Sequence, residues 1–274
     1  LEPSIFGLKP SYDMVRLIAD FIAKYMTSPN LEIEAKLGRL VDKDTKQRIL
    51  DPTLSFANLW VDSALTSVVI APEQSWLRFE SNMTLGKRIA YKHTREVDCY
   101  YKHDGIKVRV TTDQDTSQVL ASITKEKIAD LNIYSPRTPF DFRISVNEEK
   151  PGKPCTFLHQ LAFTIPEETS PLLERQKDRI SYKHDIFSFD LTQVTVPAEK
   201  PRVNPYATGP PQPPPEPKLV HELEIEIMNS SAVFEERTRY VSGQPNQLFE
   251  VAQVFLNNIK VLAKQAPQSP SRTA

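Results

Sequence analysis

Five glutamates stand at every second position in two short stretches. Glu32 and Glu34 lie within residues 31–37, and Glu222, Glu224 and Glu226 within residues 221–227. In a β-strand successive side chains point to opposite faces, so these carboxylates line one face of each strand. Leu31, Ile33, Ala35 and Leu37 line the other face of the first, and Leu223, Ile225 and Ile227 that of the second. A single such strand reads as a half-buried strand with its acids in water. Two of them facing one interior would repel unless something positive sat between. Closely placed carboxylates suit a hard divalent cation, Mg²⁺ or Mn²⁺, which takes oxygen ligands.

Cations recur with the same two-residue period. Lys107 and Arg109 share a face with Thr111, and Arg175, Lys177 and Arg179 share another. Lys125 follows the run at 118–124; Asp190 and Thr192 share a face, as do Arg143, Ser145, Asn147 and Glu149. One basic residue in an exposed strand is ordinary edge protection. Taken together they describe a tube lined by both signs. Arg and Lys clamp the oxygens of a polyanion, Arg through a planar fork and Lys as a point charge. A metal between carboxylate and phosphate neutralises charge in the transition state, and a remaining carboxylate orients or deprotonates water. Without a metal the glutamates would repel a phosphate, so metal dependence follows from the charge pattern.

The elements that must position these residues are mostly short strands. Residues 11–26 carry Tyr12, Val15, Ile18, Phe21, Ile22 and Tyr25 at helical spacing, with Ser11 as N-cap. A β-branched run follows at 65–70, then a helical face formed by Trp76, Phe79 and Met83 behind Pro72. Strands are expected at 92–101, 106–112, 118–124, 140–149, 178–184 and 187–194, with a hairpin turn at Asp104-Gly105. With the acidic pair near both ends, these strands suggest an antiparallel sheet closed into a barrel or tunnel. Closure would bring residue 32 near residue 226. Residues 197–218 contain nine prolines and read as an extended surface loop. Residues 246–264 place Leu248, Val251, Val254, Phe255, Ile259 and Leu262 on one helical face that should cover the barrel. Residues 1–265 are expected to form a single domain, and 266–274 a disordered tail.

Composition narrows the functional classes. The chain has 274 residues and a net charge of −1, so no global basic field marks a nucleic-acid coat or membrane-surface protein. Cys99 and Cys155 are too few for a disulfide framework, which favours a reducing compartment. No apolar run approaches the ~20 residues of a membrane span. The first residue is Leu1, not Met, which fits a natural N-terminus lying further upstream. The seven glycines never adjoin one another, excluding a P-loop and a dinucleotide fingerprint. The five histidines show no zinc-ligand spacing, and neither cysteine has the arginine of a phosphatase loop. If this chain handles phosphate, it does so with side chains.

The ordered set of motifs resembles the fungal mRNA-capping RNA 5′-triphosphatases, within the triphosphate tunnel metalloenzymes. The two acidic strands look like that family's paired motifs. Residues 133–136 followed by 143–149 are similar to its middle strand, residues 174–184 to its basic strand, and Asp190-Leu-Thr192 to the next. The resemblance runs from about residue 31 to 260. It implies a closed eight-stranded antiparallel β-tunnel with helices outside, and hydrolysis of the γ-phosphate of triphosphate-ended nascent RNA.

By that resemblance Glu32, Glu34 and Glu226 hold the metal, and Glu222 and Glu224 order the basic residues. Glu149 contacts the nucleophilic water, with Glu148, of opposite parity, as the alternative. Arg109, Lys125, Arg175, Lys177 and Arg179 line the triphosphate path; Asp190, Thr192 and Asp98 are supporting polar groups. Ser188 departs from the pattern, standing where relatives often carry a basic residue. The family also implies a homodimer, a nuclear location, and association with RNA polymerase II and guanylyltransferase. Three alternatives remain open: a tunnel-type hydrolase of nucleotides, tripolyphosphate or thiamine triphosphate; a non-catalytic binder of polyphosphate or RNA ends; and a dehalogenase-type phosphatase prompted by Asp113 and Asp115. The five carboxylates argue against the second, and Ser117 in place of Thr or Val against the third.

Overall fold

The computed structural model describes residues 10–41, 48, 89–103, 105–136, 138–151, 171–197 and 217–265. The expected strand at 65–70, the helix behind Pro72, the body of the proline-rich stretch and the tail at 266–274 lie outside the described residues.

Alternation of apolar and polar residues produces eight strands among the described residues: β1 (Leu31–Gly38), β2 (Ala90–His103), β3 (Ile106–Asp113), β4 (Val119–Ile133), β5 (Asp141–Pro151), β6 (Leu173–His184), β7 (Phe187–Val196) and β8 (Lys218–Ile227). They form one closed barrel in the order β1-β5-β4-β3-β2-β6-β7-β8, with β8 returning to β1. Every pairing is antiparallel. Three helices pack outside: α1 (Pro10–Tyr25), α2 (Ser230–Val241) and α3 (Leu248–Gln265). This is the expected closed antiparallel tunnel.

The hydrophobic core lies outside the barrel. Leu31, Ile33, Ala35 and Leu37 of β1 turn outward and are buried with Ile144, Val146, Ile225 and Ile227. Ile18, Ile22 and Met26 from the α1 side cover them, as do Phe255, Leu256 and Ile259 of α3. Phe255 stacks on Phe187 at 5.8 Å between ring centroids. Burying one such large side chain is worth about 1.5–3 kcal/mol, so the helices hold the wall while the polar face of the same strands is left to the interior.

Four local expectations differ from the structure. Strand β4 runs to Ile133 instead of ending at Thr124, because a bulge between Lys127 and Ala129 shifts the alternation. Strand β6 begins at Leu173, ahead of the expected Asp178, through a stretch polar on both faces. Ser11 lies inside α1, which starts at Pro10, a residue whose fixed φ suits a first helical turn. Val254, expected on the covered face of α3, is 46% exposed. Helix α2 was not expected, since Val233 is its one fully buried residue. Its signal was the N-cap: Asn229 Oδ1 accepts from Ala232 N at 3.1 Å.

Candidate active site

The inward faces of the strands enclose a tunnel of about 300 Å³. Strand β1 contributes Glu32, Glu34 and Lys36, and β8 contributes Glu222, Glu224 and Glu226. Their pairing is direct, with Glu34 opposite Glu226 and Lys36 opposite Glu224. Strands β2 and β3 add Glu96, Asp98, Tyr100, Arg109 and Thr111; β4 and β5 add Lys125 and Glu149. Arg175, Lys177 and Arg179 come from β6, and Asp190 from β7.

Most of the cations meet particular carboxylates. Arg175 Nη2 stands 2.5 Å from Glu222 Oε1, and Lys36 Nζ 2.8 Å from Glu224 Oε1. Lys177 pairs with Asp98, and both are almost fully buried, at 5% and 1% exposure. Thr111 Oγ1 donates to the other oxygen of Asp98 at 2.7 Å. Arg179 donates through Nε to Thr192 Oγ1 at 3.1 Å, and its Nη1 lies 3.4 Å from Asp190. Glu149 Oε1 has Arg109 at 3.5 Å and Lys125 at 3.6 Å. Lys125 also pairs with Glu32 and lies 3.2 Å from Glu34 Oε1. Asn147 Nδ2 donates to the same two glutamates at 3.2 and 3.0 Å.

Burial divides these carboxylates into two kinds. Burial opposes ionisation of Glu224, but Lys36 and Arg179 overcome it and bring its pKa well down. Burial likewise opposes ionisation of Asp98, and Lys177, Thr111 and Arg109 turn that shift downward. Glu226 has no such help. Burial, then Glu32 and Asp190, push its pKa up to about 7. Glu34, 6% exposed, is raised chiefly by burial, against the pull of Lys36.

The structure brings together the sequence-derived site residues except Thr192, which stands one step back, holding Arg179, and the alternative base Glu148. Glu148 turns away to Lys150 at 2.9 Å. Lys107 lies outside the lining, with its ammonium 4.5 Å from the Tyr100 ring centroid. Lys36 and Glu96 are tunnel residues that sequence reasoning missed; strand parity with Glu34 and Asp98 was the available signal. Ser188 is opposite both Glu226 and Lys183, and donates to Asp190 Oδ1 at 2.9 Å.

The lining holds nine carboxylates and six Lys or Arg side chains. With all ionised, it would carry three negative charges in excess and repel a polyphosphate. Hard oxygen donors in excess, with Glu34 facing Glu226, fit a divalent cation in their chemistry. Lys125 lies between Glu32, Glu34 and Glu149, and no ready-made cage of three or more His, Cys, Asp or Glu side chains occurs among the described residues.

A closed β-tunnel lined by both acids and bases suits the hydrolysis of a phosphate chain. A family model described as "mRNA capping enzyme, beta chain" matches residues 8–268, and the chain belongs to that family. It is 30% identical to the mRNA-capping enzyme subunit beta of Schizosaccharomyces pombe, over 92% of this chain and 81% of that protein. The namesake subunit of Cryptococcus neoformans is 28% identical over 96% of this chain and 64% of its own length. The solved structure of S. pombe Pct1 RNA triphosphatase in complex with the Spt5 CTD superposes with a TM-score of 0.74 at 28% identity. That superposition covers 97% of this chain and 100% of the other. The activity of these relatives is hydrolysis within the capping pathway.

Proposed function

We propose that this tunnel removes the γ-phosphate of 5′-triphosphate RNA with the help of a divalent cation, Mg²⁺ or Mn²⁺. The observation that supports it is the excess of carboxylates in an interior whose cations recur at every second position. Glu32, Glu34 and Glu226 are the residues to hold the cation, directly or through water. When bound, it would supply charge neutralisation between carboxylate and phosphate.

The chain's own residues do the rest. Arg109, Lys125, Arg175, Lys177 and Arg179 line the path of the triphosphate and stabilise charge developing on the transferred group. Glu222, Glu224, Asp98, Asp190 and Thr192 hold those cations in place, so little reorganisation is needed when substrate enters. Glu149, beside Arg109 and Lys125, orients the attacking water and accepts its proton on the carboxylate. The products are a diphosphate RNA end, ready for capping, and orthophosphate.

Residues 1–265 act in this reading as one catalytic domain that works as a homodimer in the nucleus. It meets guanylyltransferase and the RNA polymerase II machinery there, as capping demands. The lining addresses phosphates, so rates on RNA, ATP and tripolyphosphate distinguish an RNA enzyme from a general tunnel triphosphatase. Purified protein should release orthophosphate from triphosphate RNA only with Mg²⁺ or Mn²⁺ present. Undiminished release in excess EDTA would sink the proposal.

A further inference from the structure

Past Glu226 the tunnel opens through a second cavity of about 390 Å³. Glu96, Arg179, Asp190 and Glu226 line both spaces, so the two are continuous. New at this end are Lys92, Thr94, Ser181, Lys183, Ser188 and Met228. On the barrel wall Lys92 of β2 is opposite Ser181 of β6, and Lys183 is opposite Ala90. The two lysines are therefore diagonal neighbours on one face, within reach of each other's long side chains.

Both lysines are exposed, and neither forms an ion pair with a described residue. The deeper cations Lys36, Arg109, Lys125, Arg175, Lys177 and Arg179 all do. Two ammonium groups at this spacing repel. Edge protection does not account for Lys183, which is paired with Ala90 of β2 on one side and with Ser188 of β7 on the other. Hydroxyls at Thr94 and Ser181 share the rim, while the carboxylates of this cavity belong to the tunnel behind it. The acid-rich interior thus ends in a short basic collar whose donors have an anion as their natural partner.

We propose that Lys92 and Lys183, with the Thr94 and Ser181 hydroxyls, form a phosphate-binding step at this mouth, outside the tunnel. The inference rests on the RNA triphosphatase reading and names a further contact for it. The phosphate taken is either a backbone phosphate of the strand whose 5′ end is inside, or the orthophosphate that leaves.

A double variant, Lys92→Gln with Lys183→Gln, separates the two sources. Anisotropy with a labelled 5′-triphosphate RNA reads the first and needs no turnover. Loss of strand contacts should weaken binding about three- to tenfold, the range for two exposed ion pairs. The slope of log affinity against log salt should flatten by about 0.7 for each lysine. Calorimetry with orthophosphate reads the second source, as a loss of affinity by a similar factor with RNA binding unchanged. Lys92→Arg with Lys183→Arg should retain either behaviour. Unchanged RNA affinity, salt slope and orthophosphate affinity would overturn the proposal. So would loss of tripolyphosphate hydrolysis as complete as the loss on RNA, because the lysines would then act on the tunnel itself. A wild-type chain that hydrolyses neither substrate would break the proposed activity, and the anisotropy would still decide the collar.

Discussion

Two regions of the tunnel lining are balanced differently. In one, Asp98, Asp190 and Glu222 each have a cation of their own, Lys177, Arg179 and Arg175, and Glu224 has Lys36 at 2.8 Å, which also reaches Glu34 at 3.5 Å. In the other, where β1 meets β5 and β8, Lys125 is shared by Glu32, Glu34 and Glu149. Glu226 there has neither ion pair nor hydrogen bond among the described residues. The pKa shifts follow this division, downward for Asp98 and Glu224 and upward for Glu34 and Glu226. A carboxylate with a dedicated cation fixes that cation's position. Carboxylates that share one retain negative charge that an incoming cation can neutralise.

The largest expected effect breaks the balanced region. Lys177→Met leaves Asp98 ionised or protonated in a nearly closed interior, which should cost about 3–5 kcal/mol of stability in urea unfolding. Adding Asp98→Asn should recover much of that loss, since replacing both members of a buried pair is far milder than removing one. A single variant as stable as the wild type would show that the pair is not desolvated. The under-neutralised region should respond the other way. Glu226→Ala should leave stability nearly unchanged, because it removes a repelled carboxylate, whereas Glu32→Ala and Glu34→Ala also remove ion pairs to Lys125 and hydrogen bonds from Asn147. Each should slow orthophosphate release at least ~100-fold, the scale for losing a key electrostatic group. Near-normal release would place the chemistry elsewhere.

This division was only half legible in the sequence. The faces were readable, because period-two alternation of Glu with Leu and Ile survives in any register. So were Arg109, Arg175 and Arg179 as inward residues. The partners were not, since which cation meets which carboxylate depends on register between distant strands. That Lys177 of β6 reaches Asp98 of β2 follows only from the closed strand order. Lys36 escaped notice because a lysine after two glutamates in one strand reads as a local counter-charge, whereas its strongest partner is Glu224 on β8. Where alternation failed, so did the reading, as at the β4 bulge that hid its last turns of pairing and at the mostly exposed α2.

A smaller effect comes from pH. Glu226 holds its proton to about pH 7, above the ordinary 4.5 of a glutamate. The folded state therefore binds more protons than the unfolded state between those values, and stability falls as pH rises through that window. Thermal unfolding of metal-free protein should show a melting temperature that declines from pH 5 to about 7. The decline should weaken in Glu226→Gln and with added Mg²⁺, which would replace the proton. A wild type and a Glu226→Gln variant with parallel profiles would remove Glu226 from the under-neutralised region.

The smallest change moves a residue from one region to the other. Ser188 lies directly opposite Glu226 and donates to Asp190, so a longer side chain there could reach both. Ser188→Ala removes a single buried hydrogen bond and should cost about 1 kcal/mol in urea unfolding. Ser188→Lys instead supplies Glu226 with a cation and should lower its pKa, for the same reason that Lys36 lowers that of Glu224. The decline of melting temperature between pH 5 and about 7 should then flatten without added metal. The apparent affinity for Mg²⁺ should fall, because the new ammonium competes for the charge the cation would neutralise. If Ser188→Lys flattens the pH profile and leaves Mg²⁺ affinity untouched, Glu226 answers to its neighbours but does not belong to the cation site, and Glu32 with Glu34 must hold the cation without it.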